Sequence, residues 1–190
     1  SWDEIPVLRL GLLSNLSKEK GLFEAVHAGA EILKESSWTR RVTLSLAGPL
    51  SKSDRNLVEQ LAFDYGLTLE ICGPLYEEPK TEWFRGLDLF IFPSSYRNEA
   101  YPIVLLEALA AGTPVLTSEI GCTSEIVEGA DSCCVVSIDN FRSAGVEHVR
   151  ELLSRPRANV RRAAREHFEY LRHESESQFS KIVTELFRSD

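Results

Sequence analysis

Methionine is missing from all 190 positions, the first included, and an apolar run begins almost at once. Such a beginning is expected of a piece of a longer chain. No apolar run approaches the roughly 20 residues that a helix needs to cross a bilayer. The opening SWDEIPVLRL also lacks the basic, apolar, small-residue succession of a secretion signal, so a cytoplasmic location is expected. Positive charge is in deficit, with 21 basic residues against 29 acidic ones and a net charge of −8. That balance argues against nucleic acid as a partner and obliges an acidic ligand to find a local basic site. Cys72, Cys122, Cys133 and Cys134 form no C-x-x-C pair and show no zinc-like spacing to histidine. Buried reduced thiols are expected, and no metal site.

Several motifs are also missing. No G-x-G-x-x-G follows an apolar run, which argues against a nicotinamide enzyme, and there is no G-x-x-x-x-G-K-[ST] loop or G-x-S-x-G elbow. His27, His148, His167 and His173 all fall within helical patterns, and none is assigned a function.

What is present alternates between short apolar runs and helical periods. Strands are expected at residues 6–13, 42–47, 68–72, 87–92, 113–117 and 133–138. Between them, Ser17 is expected to cap a helix carrying Leu22, Ala25, Val26, Ala30, Ile32 and Leu33, and Ser53 or Asp54 to cap one ending at Tyr65 before Gly66. Further helices are expected at 77–85, from Ile103 onward, at 125–128 after a Ser124 cap, and from Asp139 or Asn140 to Leu153. Two more are read at 157–172 and 174–187, interrupted at 173–175. Strands joined by helices imply right-handed crossovers. The expected fold is therefore α/β, a Rossmann-like, doubly wound, mostly parallel six-stranded sheet with helices on both faces. Residues 1–155 would form this domain, and residues 156–190 would be C-terminal helices packing on it.

Ligands of such sheets sit beyond the carboxyl ends of the strands. Five loops fall there: 14–21 with Lys18 and Lys20, 48–51, 73–76, 94–102 and 118–124. Glu99 and Glu107 are the conspicuous carboxylates. On one continuous helix they would project about 80° apart. If the helix starts near Ile103, Glu99 belongs to the strand mouth and Glu107 lies one turn inside, so both could face one pocket. Free amides of residues 101–105, Pro102 apart, would suit a phosphate there, and the carboxylates would suit sugar hydroxyls. The bland alternative is one surface glutamate and one helix-face glutamate.

The segment NEAYPIVLLEALAAGTPVLTSEIGCTSEIVEG resembles the nucleotide-sugar site of group 1 (family 4) glycosyltransferases, retaining enzymes of the GT-B fold. The shared signature is Glu, seven residues, Glu, a small-residue helix, Gly-x-Pro-Val, and a later Gly-Gly before an acidic helix start. SKEKGL, VTLSLAGPL, LEICGPL and LDLFIFPSS match in order, and the resemblance covers about residues 7–153, the C-terminal, donor-binding half of such an enzyme. It implies that Glu107 binds the donor ribose and Glu99 the transferred sugar. Amides of Ala100, Tyr101, Ile103, Val104 and Leu105 would approach sugar and diphosphate, and Lys20, with Lys18 the weaker candidate, would neutralise the leaving diphosphate. Gly73, Pro74 and Leu75 would pass near the nucleobase.

Two positions depart from the pattern. Asn15 stands where the family often has an arginine that contacts the diphosphate, and Cys122 stands at the second glycine of the Gly-Gly.

The resemblance further implies a UDP- or GDP-sugar donor with no other cofactor or metal. It also implies a hexose-type sugar, a glycan or lipid-linked acceptor, and an N-terminal acceptor-binding domain in the same full-length chain. This half alone would not turn over acceptor. Two alternatives stand beside it, a phosphorylase or synthase-type relative and a non-catalytic nucleotide-sugar-binding or interaction module. The arginines between Arg155 and Arg172 read as a solvated helix face, or as a contact to an N-terminal domain or to an anionic membrane at its inner, cytoplasmic surface.

Overall fold

The computed structural model describes Trp2, residues 7–35 and residues 41–186. Six strands form one sheet: β1 (Val7–Leu13), β2 (Arg41–Ala47), β3 (Thr68–Gly73), β4 (Leu89–Phe92), β5 (Val115–Ser118) and β6 (Cys134–Val136). Their order is β3-β2-β1-β4-β5-β6, and every pairing is parallel. The central strands β4 (LFIF) and β5 (VLTS) are buried at every residue, as expected of strands covered on both faces. The chain winds outward from β1 to β3, returns to β4 beside β1, and winds outward the other way. β1 and β4 therefore flank the point where the winding reverses, and their loops diverge to open a crevice.

Among the described residues seven α-helices cover the sheet: α1 (Leu22–Lys34), α2 (Lys52–Tyr65), α3 (Glu77–Gly86), α4 (Ile103–Ala110), α5 (Thr123–Val127), α6 (Phe141–Leu153) and α7 (Arg157–Leu186). Along α1, Leu22, Ala25, Val26, Ala28, Gly29, Ala30 and Ile32 are all buried, so its small residues let it sit close between the sheet and α6. Among the described residues no helix is long and apolar enough to cross a membrane.

The caps differ from those expected. Ser17 does not cap α1: its hydroxyl accepts the Lys20 amide (3.3 Å) in the preceding turn, and Gly21 occupies the cap in a left-handed conformation (φ 80). A Cβ at Gly21 would lie 2.2 Å from the Pro93 carbonyl oxygen, so backbone packing decides this start. Ser51, not Ser53 or Asp54, caps α2 by accepting the Asp54 amide at 3.0 Å, and Gly66 ends that helix as expected. Cys122, not Ser124, stands at the N-cap of α5. Strand ends shift as well. Leu87 is the C-cap of α3, and Thr113 folds back so that its hydroxyl donates to the Phe84 carbonyl at 2.6 Å. Pro6 and Phe187, within the expected first strand and last helix, lie outside the described residues.

α7 is one helix where two were expected. The His-Glu-Ser stretch contains neither Gly nor Pro, and Arg172 reaches Glu169 (2.7 Å) and Glu176 (4.0 Å) across the expected break. Its first half packs on α4 and α6 with Val160 and Ala164 buried, whereas its side chains beyond Arg172 are mostly exposed. The arginines are only partly a solvated face. Arg157 pairs with buried Asp88 at 2.7 Å, and Arg161 donates to the carbonyls of Leu87 (2.8 Å), Arg85 (3.0 Å) and Ala111 (3.2 Å). A guanidinium at the C-terminal ends of α3 and α4 satisfies carbonyls that have no partner in their own helices. The cysteines also differ from expectation: all are free, but Cys72 is exposed and the others partly so. Burial of the Cys133 thiol itself pushes its pKa up to about 12, which keeps it protonated.

Candidate functional site

A cavity of about 480 Å³ opens at the reversal point between β1 and β4. Its walls come from the carboxyl ends of four strands: Leu13, Ser14 and Asn15 after β1, Gly48 and Pro49 after β2, Pro74, Leu75 and Tyr76 after β3, and Phe92 of β4. The loops are stitched to one another by backbone bonds that prolong the sheet. Ser14 N–H donates to Ala47 (3.2 Å), Leu16 to Pro49 (3.0 Å) and Gly48 to Gly73 (2.8 Å). The walls are thereby set by the strands rather than by mobile turns.

On one side lie Lys20 and Glu99. The Lys20 ammonium donates to Glu99 Oε2 at 2.7 Å, and both side chains are largely enclosed. Ser94 donates to the same oxygen at 3.1 Å, and the Tyr96 ring lies 4.2 Å under the ammonium. Each residue is held by its backbone. Ser95 N–H donates to the Glu19 carbonyl (2.8 Å), joining the two loops, and Cys122 N–H donates to the Ala100 carbonyl (3.0 Å). Gly121 allows that second approach. Its φ is 53, and a Cβ there would lie 2.0 Å from the Glu99 carbonyl oxygen. The close contact of this loop is made by Gly121, and Cys122 fits beside it at φ −92.

On the other side lies Glu107 on α4, whose Oε1 is contacted by the ammonium of Lys80 from α3. Lys80 borders the cavity. Just before it, Glu77 holds φ 48, the only non-glycine with positive φ among the described residues, at the rim next to Tyr76. A non-glycine residue in that region is uncommon and is often found at ligand-binding sites.

Between the two pairs stands the N-terminus of α4, with Pro102 at its cap. The Ile103 and Val104 amides begin the helix and have no carbonyl one turn earlier to bond. Leu105 N–H is already bonded to the Pro102 carbonyl at 3.0 Å, and Leu105 is fully buried. Two lysines, the Glu99 carboxylate and a helix N-terminus around one cavity, with Glu107 behind Lys80, suit a ligand that carries both an anion and hydroxyls.

The family model for group 1 glycosyl transferases matches residues 7–155. The chain belongs to that family. A D-inositol 3-phosphate glycosyltransferase of Frankia alni is 29% identical over 146 residues, 73% of this chain and 35% of the relative. Glycogen synthase of Mycobacterium tuberculosis is 29% identical over 154 residues, 80% of this chain and 35% of the relative. Among solved structures, sucrose-phosphate synthase from Thermosynechococcus elongatus superposes with a TM-score of 0.73 at 19% identity, covering 96% of this chain and 46% of that one. Anabaena HepE, solved in complex with UDP and glucose, superposes with a TM-score of 0.70 at 17% identity, covering 97% and 49%. These likenesses give the fold, one Rossmann-like half of the GT-B type. The chain spans about a third of the length of these curated relatives and just under half of these solved structures.

In this glycosyltransferase domain the cavity gathers Asn15, Lys20, Pro74, Leu75, Glu99, Tyr101, Ile103 and Val104 of the expected residues. Lys18, Gly73, Ala100, Leu105 and Glu107 do not border it. Lys18 is exposed, the carbonyls of Gly73 and Ala100 are taken by neighbouring loops, and Leu105 belongs to the core. Glu107 meets the cavity through Lys80. Tyr76, Ser94 and Tyr96 fall in the expected loops 73–76 and 94–102 without having been singled out, and Lys80 lies outside them. Lys80 had one signal, a lone cation in the first turn of a helix that starts at a strand's carboxyl end.

Proposed function

We propose that this domain binds the nucleotide-diphosphate sugar of a retaining glycosyltransferase that transfers a hexose-type sugar. The observation that carries the reading is the Lys20–Glu99 pair, 2.7 Å apart beside the N-terminus of α4 at the point where the sheet's winding reverses. Lys20 and the Ile103 and Val104 amides face the diphosphate, Glu99 takes hydroxyls of the transferred sugar, and Glu107 takes those of the ribose. Pro74 and Leu75 lie along the nucleobase.

In the reaction, negative charge builds on the departing diphosphate as the sugar–oxygen bond breaks. A fixed ammonium and fixed helix amides stabilise that charge without having to reorganise, which lowers the barrier. Glu99, engaged by Lys20 and Ser94, acts as a hydroxyl ligand and not as a nucleophile on the sugar. The acceptor, a glycan or lipid-linked saccharide, would be held by the rest of the full-length protein. The reading is supported by the share of the solved relatives that this chain covers and by the UDP and glucose in the HepE complex.

Calorimetric titration with UDP, GDP and ADP tests the reading. Binding of at least one by the folded domain is expected, and binding of none overturns it. A second reading, a domain that binds nucleotide-sugar without transfer, is favoured by one observation: the uncharged Asn15 borders the cavity where the family often has an arginine. Turnover of a donor by the full-length protein separates the two.

A further inference from the structure

We propose that Lys80 is a positioning residue that fixes the Glu107 carboxylate for the ribose diol, and so sets the preference of this site for ribonucleotides over deoxynucleotides. The inference rests on the nucleotide-sugar reading above. Glu107 projects from a partly exposed face of α4, where a free glutamate would wander among rotamers. Lys80 removes that freedom by engaging Oε1, and among the described residues Oε2 accepts no hydrogen bond. One oxygen is thus anchored and the other is left able to accept.

The anchor comes from a separate element. This contact is the only side-chain hydrogen bond between α3 and α4 among the described residues, so the aim of Glu107 depends on where α3 places Lys80. α3 itself is well placed for the task. Its first turn begins with Glu77 at positive φ and holds Lys80 N–H 3.4 Å from the Tyr76 carbonyl. At its far end Arg161 bonds the Arg85 and Leu87 carbonyls. With about four lone-pair sites on its two oxygens, a carboxylate can hold one cation and still accept from two vicinal hydroxyls.

The experiment compares dissociation constants of the wild-type domain, Lys80→Met and Lys80→Arg for whichever of UDP, GDP or ADP binds, and for its 2′-deoxy counterpart. Lys80→Met is expected to narrow the ribo-to-deoxy affinity ratio by fivefold or more, with Lys80→Arg restoring most of it. Thermal melting of both variants should stay near wild type, since Lys80 is not a core residue. Equal weakening of ribo and deoxy forms, or no change in either, overturns the proposal while leaving the nucleotide-sugar reading intact. A wild-type domain that binds no nucleotide overturns both.

Discussion

The Lys20 ammonium and the Glu99 carboxylate meet at 2.7 Å although 79 residues separate them in the chain. A diphosphate entering the cavity must therefore share Lys20 with a protein carboxylate. Lys20→Ala is expected to weaken nucleoside diphosphate binding by about tenfold to a hundredfold, the worth of one charge-assisted contact, while leaving binding of the uncharged nucleoside nearly unchanged. Calorimetry on the two ligands checks it.

Removing the partner acts in the opposite direction. Glu99→Gln should bind nucleoside diphosphate as tightly as wild type or more tightly, because Lys20 no longer divides its charge, yet it should lose discrimination among donor sugars. Glu107→Ala should instead lose nucleotide affinity by roughly tenfold or more, in the range of a charged hydrogen bond. Competition assays with a panel of nucleotide-sugars separate the two carboxylates.

Gly121 holds φ 53 against the Glu99 and Ala100 carbonyls. Gly121→Ala forces both a strained backbone and a clash, and is expected to destabilise the domain by about 1–3 kcal/mol. Because the displaced backbone is that of Glu99, sugar discrimination should fall as well. Denaturant unfolding and the donor panel together test this.

Asp88 is buried and accepts from Arg157 (2.7 Å) and from the Arg9 amide (2.9 Å). Asp88→Ala removes the acceptor of both donors and, because Arg157 is partly exposed and can turn to water, should cost about 1–3 kcal/mol. Chemical denaturation of both single variants and the double variant with Arg157→Met should reveal coupling of more than about 0.5 kcal/mol.

His148 is buried, its Nε2 has no hydrogen-bond partner, and burial, aided by nearby Arg155, lowers its pKa from 6.5 to about 4. Between those two values the unfolded chain takes up a proton that the folded chain does not. Stability should consequently fall as pH drops from about 6.5 toward about 4, by at most about 1.4 kcal/mol per pH unit, and this contribution should level off below. His148→Asn, which cannot titrate, should flatten that part of a stability–pH profile.

The β4 to α4 unit was legible in the sequence because it is local. An apolar run, a loop with Glu99 and a helix with Glu107 follow one another within 20 residues of chain, and the crossover rule then fixes which sheet end carries them. Lys20 was legible only through its family match. Lys80 had a single weak signal, its place as a lone cation in the first turn of α3, and nothing in EEPKTEW distinguishes a site lysine from a surface one until α3 is laid beside α4. The caps at Ser51 and Gly21 were missed for a related reason: several serines compete locally, and the decision falls to packing, as at Gly21 against Pro93. α7 was split because polar His-Glu-Ser resembles a turn, whereas its ion pairs carry the helix through.

Arg161 lies at the opposite end of α3 and α4 from the cavity, yet its guanidinium touches the carbonyls that finish both helices. The two helices that carry Lys80 and Glu107 are therefore clamped at their tails by a residue of α7. α7 thus acts as a brace shared by the two helices, and trimming the chain before Arg161 is expected to loosen the Lys80–Glu107 contact at their other ends.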